Sequence, residues 1–241
     1  MYDLDLQTQE QPTCLGHVKT ESRFASLGWS VPSLLSTKYP LGVIAGGMET
    51  GVVHVWDAKA LLNSSSSSSS SSPVITSFSQ HASGPVKGLQ FNALVPSQLA
   101  TGGIDGSVFI VDLSKPNDAP WTPYSDPAQQ QRSSITAVAW NTEVAHILAS
   151  ASSDGTVSIW DTQGRKRWCE LHCGNEAVTA VAWNPKQGMQ LLTASYDDRN
   201  PVIKLWDLRS STSMPLATLV GHTKGILGMA WCPHDEHLLM T

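Results

Sequence analysis

A short apolar segment recurs along this chain of 241 residues, and the recurrence constrains the fold more strongly than any other feature of the sequence. Thr136-Ala-Val-Ala-Trp140 returns as Thr179-Ala-Val-Ala-Trp183 about 43 residues later. Looser copies of the segment end at Trp29, Phe91 and Trp231. A period of this length is typical of proteins in which small supersecondary units stack on one another.

A second repeated segment, a β-branched run that ends in Trp-Asp, follows the complete copies of the first. It ends at Asp57, Asp112, Asp161 and Asp207, with Val111 in place of tryptophan in the second copy. Once the serine run at 64–72 is discounted, successive copies are about 46 residues apart. This spacing is close to that of one WD-repeat propeller blade.

Each copy divides into short runs of β-forming residues separated by turn residues. In the third copy the runs cover 135–140, 146–152 and 156–160, and a fourth at 167–171 leads into the next copy. Asp154-Gly155 is typical of a tight hairpin between antiparallel strands. No stretch longer than a turn has helical periodicity. The sequence therefore predicts an all-β fold, a WD-repeat β-propeller with four-stranded blades.

The repeats also predict how the chain is divided. It begins on the end of a preceding copy and stops within the second strand of a further one, so we expect about four blades of a ring cut at both ends. An uncovered blade exposes an apolar face, and the isolated chain is expected to aggregate or to need a partner. The predicted units are the end of a blade at 1–23, blades at 24–81, 82–134, 135–175 and 176–222, and the start of another at 223–241. The first blade carries a disordered serine insertion at 63–73, either a tolerated loop or a phosphorylatable one.

Polar residues recur at fixed places in the repeats and match the hydrogen-bonded set that WD repeats bury. That set joins a histidine before the first strand, a serine in the second, a turn aspartate and the Trp-Asp dipeptide. Because unpaired buried polar groups are costly, we interpret the set as structural and not as a catalytic triad. The predicted structural residues are Trp56, Asp57, His81, Asp105, Asp112, Ser152, Asp154, Trp160, Asp161, Ser195, Asp197, Trp206, Asp207 and His222.

Two blades carry nearly complete sets. One is expected to join Ser152, Asp154 and Trp160 by hydrogen bonds. The other is expected to join Ser195 and Trp206 with Asp197 or its neighbour. Elsewhere the pattern is broken, and packing is expected to hold the blades; the departures are Thr50 for the turn aspartate, Gly103 for the strand serine, Val111 for the tryptophan and Asn175 for the histidine.

Two segments, 169–173 and 232–237, contain cysteine and histidine, which are common zinc ligands. Zinc sites usually match one ligand pair with a second, and neither segment has such a partner. A strand would also direct Cys169 and Cys173 to one face and His172 to the other. No nucleophile-elbow motif and no phosphate-binding glycine loop occurs. The sequence therefore predicts no catalytic residue, no metal and no cofactor.

Charge and hydropathy exclude several classes of partner. The net charge is −5 and no run of Lys or Arg occurs, which argues against nucleic-acid binding. No apolar run approaches the ~18 residues of a membrane span, and the acidic N-terminus is unlike a signal peptide. The four cysteines form no disulfide-like framework, which favours a reducing, cytosolic compartment.

Longer segments resemble the N-terminal propeller of the large outer-cage subunit of the COPII vesicle coat. The extended hairpin at 197–209 is similar to that family, and so, in the same order and spacing, are the segments at 44–51, 144–152 and 222–232. The resemblance covers nearly the whole chain apart from the serine insertion. It implies a seven-bladed ring and a structural, non-catalytic scaffold that supports cage assembly and endoplasmic-reticulum-to-Golgi transport.

The resemblance also implies partners and a location. The partners are other coat subunits, namely the small WD-propeller partner of the outer coat and the inner coat, with propeller–propeller contacts at cage vertices. The location is the cytosol, peripherally on endoplasmic-reticulum exit sites and vesicles, with only indirect membrane association. In that family the segments that bind the small propeller and the inner coat lie downstream of the propeller, so no residue is assigned to them here. A WD-repeat adaptor, such as a ubiquitin-ligase substrate receptor or a signalling scaffold, is the alternative.

Overall fold

In the described residues, antiparallel β-strands follow one another along the chain and pair with their neighbours in sequence. The computed structural model describes residues 1–3, 13–30, 38–63, 73–81, 84–115 and 118–241. The serine run at 64–72 lies outside these residues, as does the prediction made for it. The strands are β1 (Tyr2–Asp3), β2 (Thr13–Cys14), β3 (Phe24–Trp29), β4 (Val43–Met48), β5 (Val53–Asp57), β6 (Val74–Phe78), β7 (Val86–Phe91), β8 (Gln98–Gly103), β9 (Val108–Asp112), β10 (Ile135–Trp140), β11 (Ile147–Ser152), β12 (Thr156–Asp161), β13 (Lys166–His172), β14 (Val178–Trp183), β15 (Gln190–Ser195), β16 (Val202–Asp207), β17 (Ala217–Val220), β18 (Ala230–Trp231) and β19 (Leu239–Met240).

The strands form sheets that we number in chain order. Sheet 1 is β1–β2, sheet 2 is β3–β6, sheet 3 is β7–β9, sheet 4 is β10–β13, sheet 5 is β14–β17 and sheet 6 is β18–β19. The first strands of sheets 2 to 6 contact one another in chain order, so these sheets stack face to face along a shared inner edge. The predicted all-β arrangement of four-stranded antiparallel units is confirmed.

Two local features differ from the simple pattern. A short helix, α1 (Ala58–Asn63), follows β5 and buries Leu61, whereas the sequence pattern predicts no helix longer than a turn. Among the described residues, sheet 3 has no regular fourth strand. Trp121 takes its place through a bridge to Ile110, with nitrogen-to-oxygen distances of 2.7 and 3.0 Å. The Pro-rich stretch before β10 therefore contributes one paired residue where its neighbours contribute a strand.

The core lies between consecutive sheets, and it explains the alternation of small and large residues in the repeats. On sheet 4, Ala149, Ala151 and Ile159 are fully buried and face sheet 5. The facing side of sheet 5 presents Trp183 and Trp206. Since alternate residues of a strand point to opposite faces, each sheet buries a small-residue face against the large aromatic face of the next.

Glycines at the hairpins between second and third strands bring each sheet close to the next. Gly51, Gly106 and Gly155 have φ of 87°, 74° and 84°, which side chains other than glycine rarely adopt. A Cβ on any of them would overlap a backbone carbonyl just before the next sheet, at His81, Gln131 and Gly174 respectively. Gly174, and not Asn175 as expected, therefore occupies the place of the pre-strand histidine in sheet 5.

Candidate functional site

The polar set of sheet 3 is centred on His81, which is 1% exposed. Its Nδ1 lies 3.3 Å from Asp105 Oδ1 and 3.1 Å from Ser107 Oγ, and its Nε2 lies 3.0 Å from Thr101 Oγ1. Because a carboxylate can only accept, we assign the ring proton to Nδ1 and let Nε2 accept from the Thr101 hydroxyl. Burial lowers the pKa of His81 although Asp105 acts to raise it. The imidazole is therefore neutral near pH 7 and cross-links the strands.

In sheets 4 and 5 the hydroxyl of the second strand is bonded by the tryptophan next to last in the third strand. Trp160 Nε1 donates to Ser150 Oγ at 2.8 Å, and Ser150 donates to Gln131 Oε1. Trp206 Nε1 donates to Thr193 Oγ1 at 3.0 Å. The hydroxyl residues of the three second strands occupy equivalent positions. Each pairs with the third-from-last residue of the first strand of its own sheet; they are Thr101, Ser150 and Thr193.

The expected serine partners were therefore wrong by two residues. Trp160 lies opposite Leu148 in the ladder, so Ser150 is the next residue on that face, about 7 Å along the strand, and Ser152 is about 13 Å away. Ser152 Oγ makes no hydrogen bond with Trp160, although its hydroxyl is among the groups that lower the pKa of Asp154 against the opposing effect of burial. Ser195 Oγ accepts from the backbone N–H of Asp197 at 3.1 Å. The same register applies in sheet 3, where Thr101 supplies the hydroxyl. Gly103 therefore does not replace the serine of the pattern, as the sequence had suggested.

The aspartates of the repeats shape turns. The side chains of Asp57, Asp112, Asp161 and Asp207 accept from backbone N–H groups two residues on, at 2.9, 2.9, 3.1 and 3.0 Å. Each of these four aspartates closes the turn that leaves its third strand. The Arg209 guanidinium, 2.7 Å from Asp207 Oδ2, holds the pKa of Asp207 well below its usual range.

The turn aspartates between the second and third strands act similarly. Asp154 accepts from the backbone N–H and the hydroxyl of Thr156 at 3.0 and 2.7 Å. Asp198, in the longer hairpin of sheet 5, reaches the next unit instead and accepts from the N–H of Gly225 at 2.8 Å. His222 Nε2 lies 2.8 Å from Thr241 Oγ1, the residue equivalent to Thr101, and both are exposed.

Hydrogen bonds between sheets were missed by the sequence analysis. The indole N–H groups of Trp140, Trp183 and Trp231 donate to carbonyls on the first strand of the preceding sheet, at 3.2, 3.0 and 3.4 Å. Asn92 and Asn141 cap their own turns and donate across the interface, to Ala145 O at 2.8 Å and Gly188 O at 2.6 Å. The signal in the sequence was the aromatic-Asn pair that ends the first strands of sheets 3, 4 and 5.

Residues 121–131 tie sheet 3 to sheet 4 in the place of the missing strand. The Tyr124 ring lies 5.4 Å from that of Trp160, and Gln129 Oε1 accepts from the Arg167 N–H at 2.8 Å. Gln131, which takes the position of His81 in sheet 4, keeps a buried Nε2 without a partner. The sheets are thus joined by polar links at both ends of their strands, as a rigid scaffold requires.

The cysteine and histidine side chains of the segment 169–173 differ in their burial. Cys173 is buried, His172 is exposed, and burial raises the pKa of Cys173 and that of Cys169, the latter to about 11. Within the described part of the chain, no group of three or more His, Cys, Asp or Glu residues is placed to hold a metal ion. None of the described helices is long and apolar enough to cross a membrane.

Several exposed apolar side chains lie on the outward faces of the first and last sheets that stack. A cavity of about 640 Å³ opens beside β3 and is lined by Phe24, Leu27, Trp29 and Trp56, among others. At the other end Leu227, Leu238 and Met240 point away from sheet 5. Residues next to sheet 1 partly cover the first face, since Met1 and Val18 pack against the buried cluster of Met48, Trp56 and Leu61. Both faces offer apolar surface for contacts with other proteins.

Comparisons with known proteins place this architecture among the propellers. A family model described as Nucleolar protein 10-like, N-terminal domain matches residues 20–202, and a WD-domain G-beta repeat matches 213–241. The chain is 38% identical over its full length to Protein transport protein SEC31 of Dictyostelium discoideum and 40% identical to sec31 of Emericella nidulans. It spans 18% of the length of each of these relatives.

Solved structures agree with the sequence comparison. A chain of "COPII on membranes, outer coat vertex" is 32% identical and superposes with a TM-score of 0.75, covering 95% of this chain and 58% of that one. A chain of the mitotic checkpoint complex superposes with a TM-score of 0.68 over 97% of this chain and 61% of that one, at 21% identity, and shows the fold alone.

Proposed function

The chain belongs to the WD-repeat β-propellers, in the domain family described as Nucleolar protein 10-like, N-terminal domain, and from this premise we propose that it is a structural scaffold of the COPII outer coat. Its role is to support cage assembly in transport from the endoplasmic reticulum to the Golgi. The observation that carries the proposal is the similarity to SEC31 proteins along the whole chain, together with the superposition on an outer-coat vertex chain.

The nucleolar description of the family model is the competing indication. That model ends at residue 202, so it includes Asp198 but neither Gly225, whose N–H donates to Asp198, nor sheet 6. The similarity to SEC31 proteins includes these segments, because it covers 99 to 100% of the chain. We therefore favour the coat over a nucleolar role.

The geometry supports a scaffold without turnover. The imidazole, carboxylate and hydroxyl of His81, Asp105 and Ser107 lie together, but His81 and Ser107 are buried and satisfy one another inside sheet 3. Polar groups in such a place stabilise the fold and do not meet a substrate. The links between sheets favour a rigid body whose surface loops make protein contacts.

The proposal includes partners, a location and the unit borders. We propose contacts with the small propeller of the outer coat and with the inner coat through the longer protein, and propeller–propeller contacts at vertices. The location is the cytosolic side of endoplasmic-reticulum exit sites and of coated vesicles. The proposed units are 1–23, 24–81, 82–134, 135–175, 176–222 and 223–241, and the residues of the polar set hold them.

Affinity purification of the full-length protein that carries this chain tests the proposal. Identification of the captured proteins by mass spectrometry is expected to recover the small outer-coat propeller and subunits of the inner coat. Recovery of ubiquitin-ligase subunits without any coat subunit would support the adaptor alternative, and recovery of nucleolar proteins alone would support the nucleolar one. Either result contradicts the coat assignment.

A further inference from the structure

The hairpin between the second and third strands of sheet 5 is longer than those of the neighbouring sheets. It covers residues 196–201, whereas its counterparts in sheets 2, 3 and 4 cover 49–52, 104–107 and 153–155. Residues 198–200 are exposed, and Asp197 Oδ1 accepts the backbone N–H of Arg199 at 2.8 Å. The additional residues therefore form a structured, solvent-exposed extension at the end of the sheet.

Hydrogen bonds hold this extension on both sides. At its start the Tyr196 N–H donates to the Ala177 carbonyl at 2.9 Å, in the linker that leads into β14. Nearer its tip Asp198 Oδ1 accepts the N–H of Gly225 at 2.8 Å, in the linker that leads towards β18. Both linkers are described parts of the chain, and the extension lies at the ends of the strands, away from the faces by which the sheets stack. It is therefore preorganised for a contact, which lowers the entropic cost of binding.

Two exposed side chains of the extension are of the types that contribute most to binding at protein interfaces. Tyr196 is 54% exposed, and Arg199 is exposed as well. Within the described part of the chain the Arg199 guanidinium forms no ion pair, whereas Lys224 of the next linker pairs with Asp198 at 3.4 Å. Tyrosine and arginine are enriched among the residues that dominate binding energies. The extension thus presents an aromatic ring and an unpaired cation.

Two carboxylates adjoin the extension on the side of sheet 4. Asp154 is exposed in the hairpin of that sheet, and Glu176 is exposed in the linker that leads into β14. The two segments are close, since a Cβ built on Gly155 would lie 3.1 Å from the Glu176 carbonyl oxygen. Among the described residues, the ion pairs are formed by other carboxylates. Because Glu176 directly precedes the residue that bonds the Tyr196 N–H, the two carboxylates, the ring and the guanidinium follow one another along one surface.

We propose that these four residues, the hairpin surface, bind the hairpin surface of a second copy of the chain across a two-fold axis. Arg199 of each copy then pairs with Glu176 and Asp154 of the other, and the two Tyr196 rings lie near the axis. A surface with a cation and carboxylates side by side is complementary to itself, because the two-fold symmetry forms both sets of ion pairs at once. The contact specifies the propeller–propeller contact proposed above and rests on that proposal.

Covalent trapping in the full-length protein tests the contact at its axis. Tyr196→Cys, made together with Cys14→Ser to remove an exposed native thiol, is treated with a short bismaleimide and examined on a denaturing gel. The ion pairs remain in this variant, so a covalent dimer is expected. Leu94→Cys in the same background is the control, because Leu94 is 42% exposed but lies at the opposite ends of the strands. It is expected to give only the yield of Cys14→Ser alone.

Charge reversal tests whether the ion pairs hold the dimer together. In the Tyr196→Cys protein, Arg199→Glu or Glu176→Arg alone is expected to lower the yield of covalent dimer by at least roughly tenfold, because like charges then face one another twice. Together the two changes exchange the charges and are expected to restore most of the yield. Lys186→Glu, at an exposed lysine in the turn between β14 and β15, is the matched control and is expected to leave the yield unchanged.

The proposal is wrong if Tyr196→Cys gives no more covalent dimer than Leu94→Cys, if either charge reversal leaves the yield unchanged, or if the two reversals together do not restore it. This result is separable from that of the proposed function, because capture of coat subunits by the same protein is measured independently. Coat subunits captured without a covalent dimer contradict the hairpin contact alone. A charge-dependent dimer in a protein that captures no coat subunit contradicts the coat assignment instead.

Discussion

Thr193→Val removes the oxygen that accepts the indole N–H of Trp206 and changes the shape of the side chain very little. Trp206 and Thr193 are buried, at 0% and 2% exposure, and the bond is 3.0 Å long. No water reaches the indole after the substitution. The donor is therefore left buried without an acceptor in the middle of sheet 5.

The size of the effect follows from two opposing contributions. An unsatisfied buried donor costs about 1–3 kcal/mol. The extra methyl group returns part of this, at most about 0.8 kcal/mol. The free energy of unfolding is therefore expected to fall by about 1–2 kcal/mol. With an m-value of about 2–3 kcal/mol/M, the urea midpoint falls by roughly 0.3–1 M.

Urea unfolding followed by tryptophan fluorescence and circular dichroism measures this change, at a protein concentration where the midpoint no longer depends on concentration. Thr218→Val, at an exposed threonine of the same sheet, is the control and is expected to stay within about 0.5 kcal/mol of the wild type. Trp206→Phe should lower the free energy of unfolding less in the Thr193→Val variant than in the wild type, because the indole N–H of the variant already lacks an acceptor. If Thr193→Val and Thr218→Val are equally stable, the link between the indole and the second strand is not a source of stability.

Three further predictions follow from the same geometry. Burial lowers the pKa of His81, so near and below the ordinary histidine pKa of about 6.5 the unfolded chain binds more protons than the folded one. The free energy of unfolding is therefore expected to fall as the pH drops from 7 towards 5. Denaturation curves of His81→Gln should show a weaker pH dependence. Gly155→Ala is expected to reduce the free energy of unfolding by about 1–3 kcal/mol and so to lower the melting temperature, because φ is 84° and a Cβ meets the Gly174 carbonyl. The control, Gly221→Ala, has open space around the added Cβ and is expected to leave the melting curve unchanged. Thiol labelling read by mass spectrometry should modify exposed Cys14 at once and buried Cys173 only on unfolding; equal rates would contradict the burial of Cys173.

The positions of the strands could be predicted from the repeat, because they depend on the residue pattern alone. The strands of sheet 4 fall within one residue of the runs expected from the sequence, because alternation and the Asp154-Gly155 turn specify both the faces and the hairpin. The position of Trp160 on the third strand was also evident, since Trp-Asp recurs at a constant step.

What the pattern could not supply was the register between strands. Ser150 and Ser152 lie on the same face of β11, and only the pairing of Leu148 with Trp160 decides which of them the indole reaches. The bonds from Asn92 and Asn141 to the next sheet were likewise hidden, because they depend on how far one sheet is rotated against another. The sequence did not indicate that Gln131 takes the position of His81 in sheet 4, since the two side chains have only hydrogen bonding in common.

Localisation of the full-length protein tests the central claim most directly, because the coat and the nucleolus are separate compartments. Fluorescence microscopy of the tagged protein is expected to show puncta at endoplasmic-reticulum exit sites that coincide with an inner-coat marker. Accumulation in the nucleolus, or an even distribution without overlap with that marker, would contradict a role in the COPII outer coat.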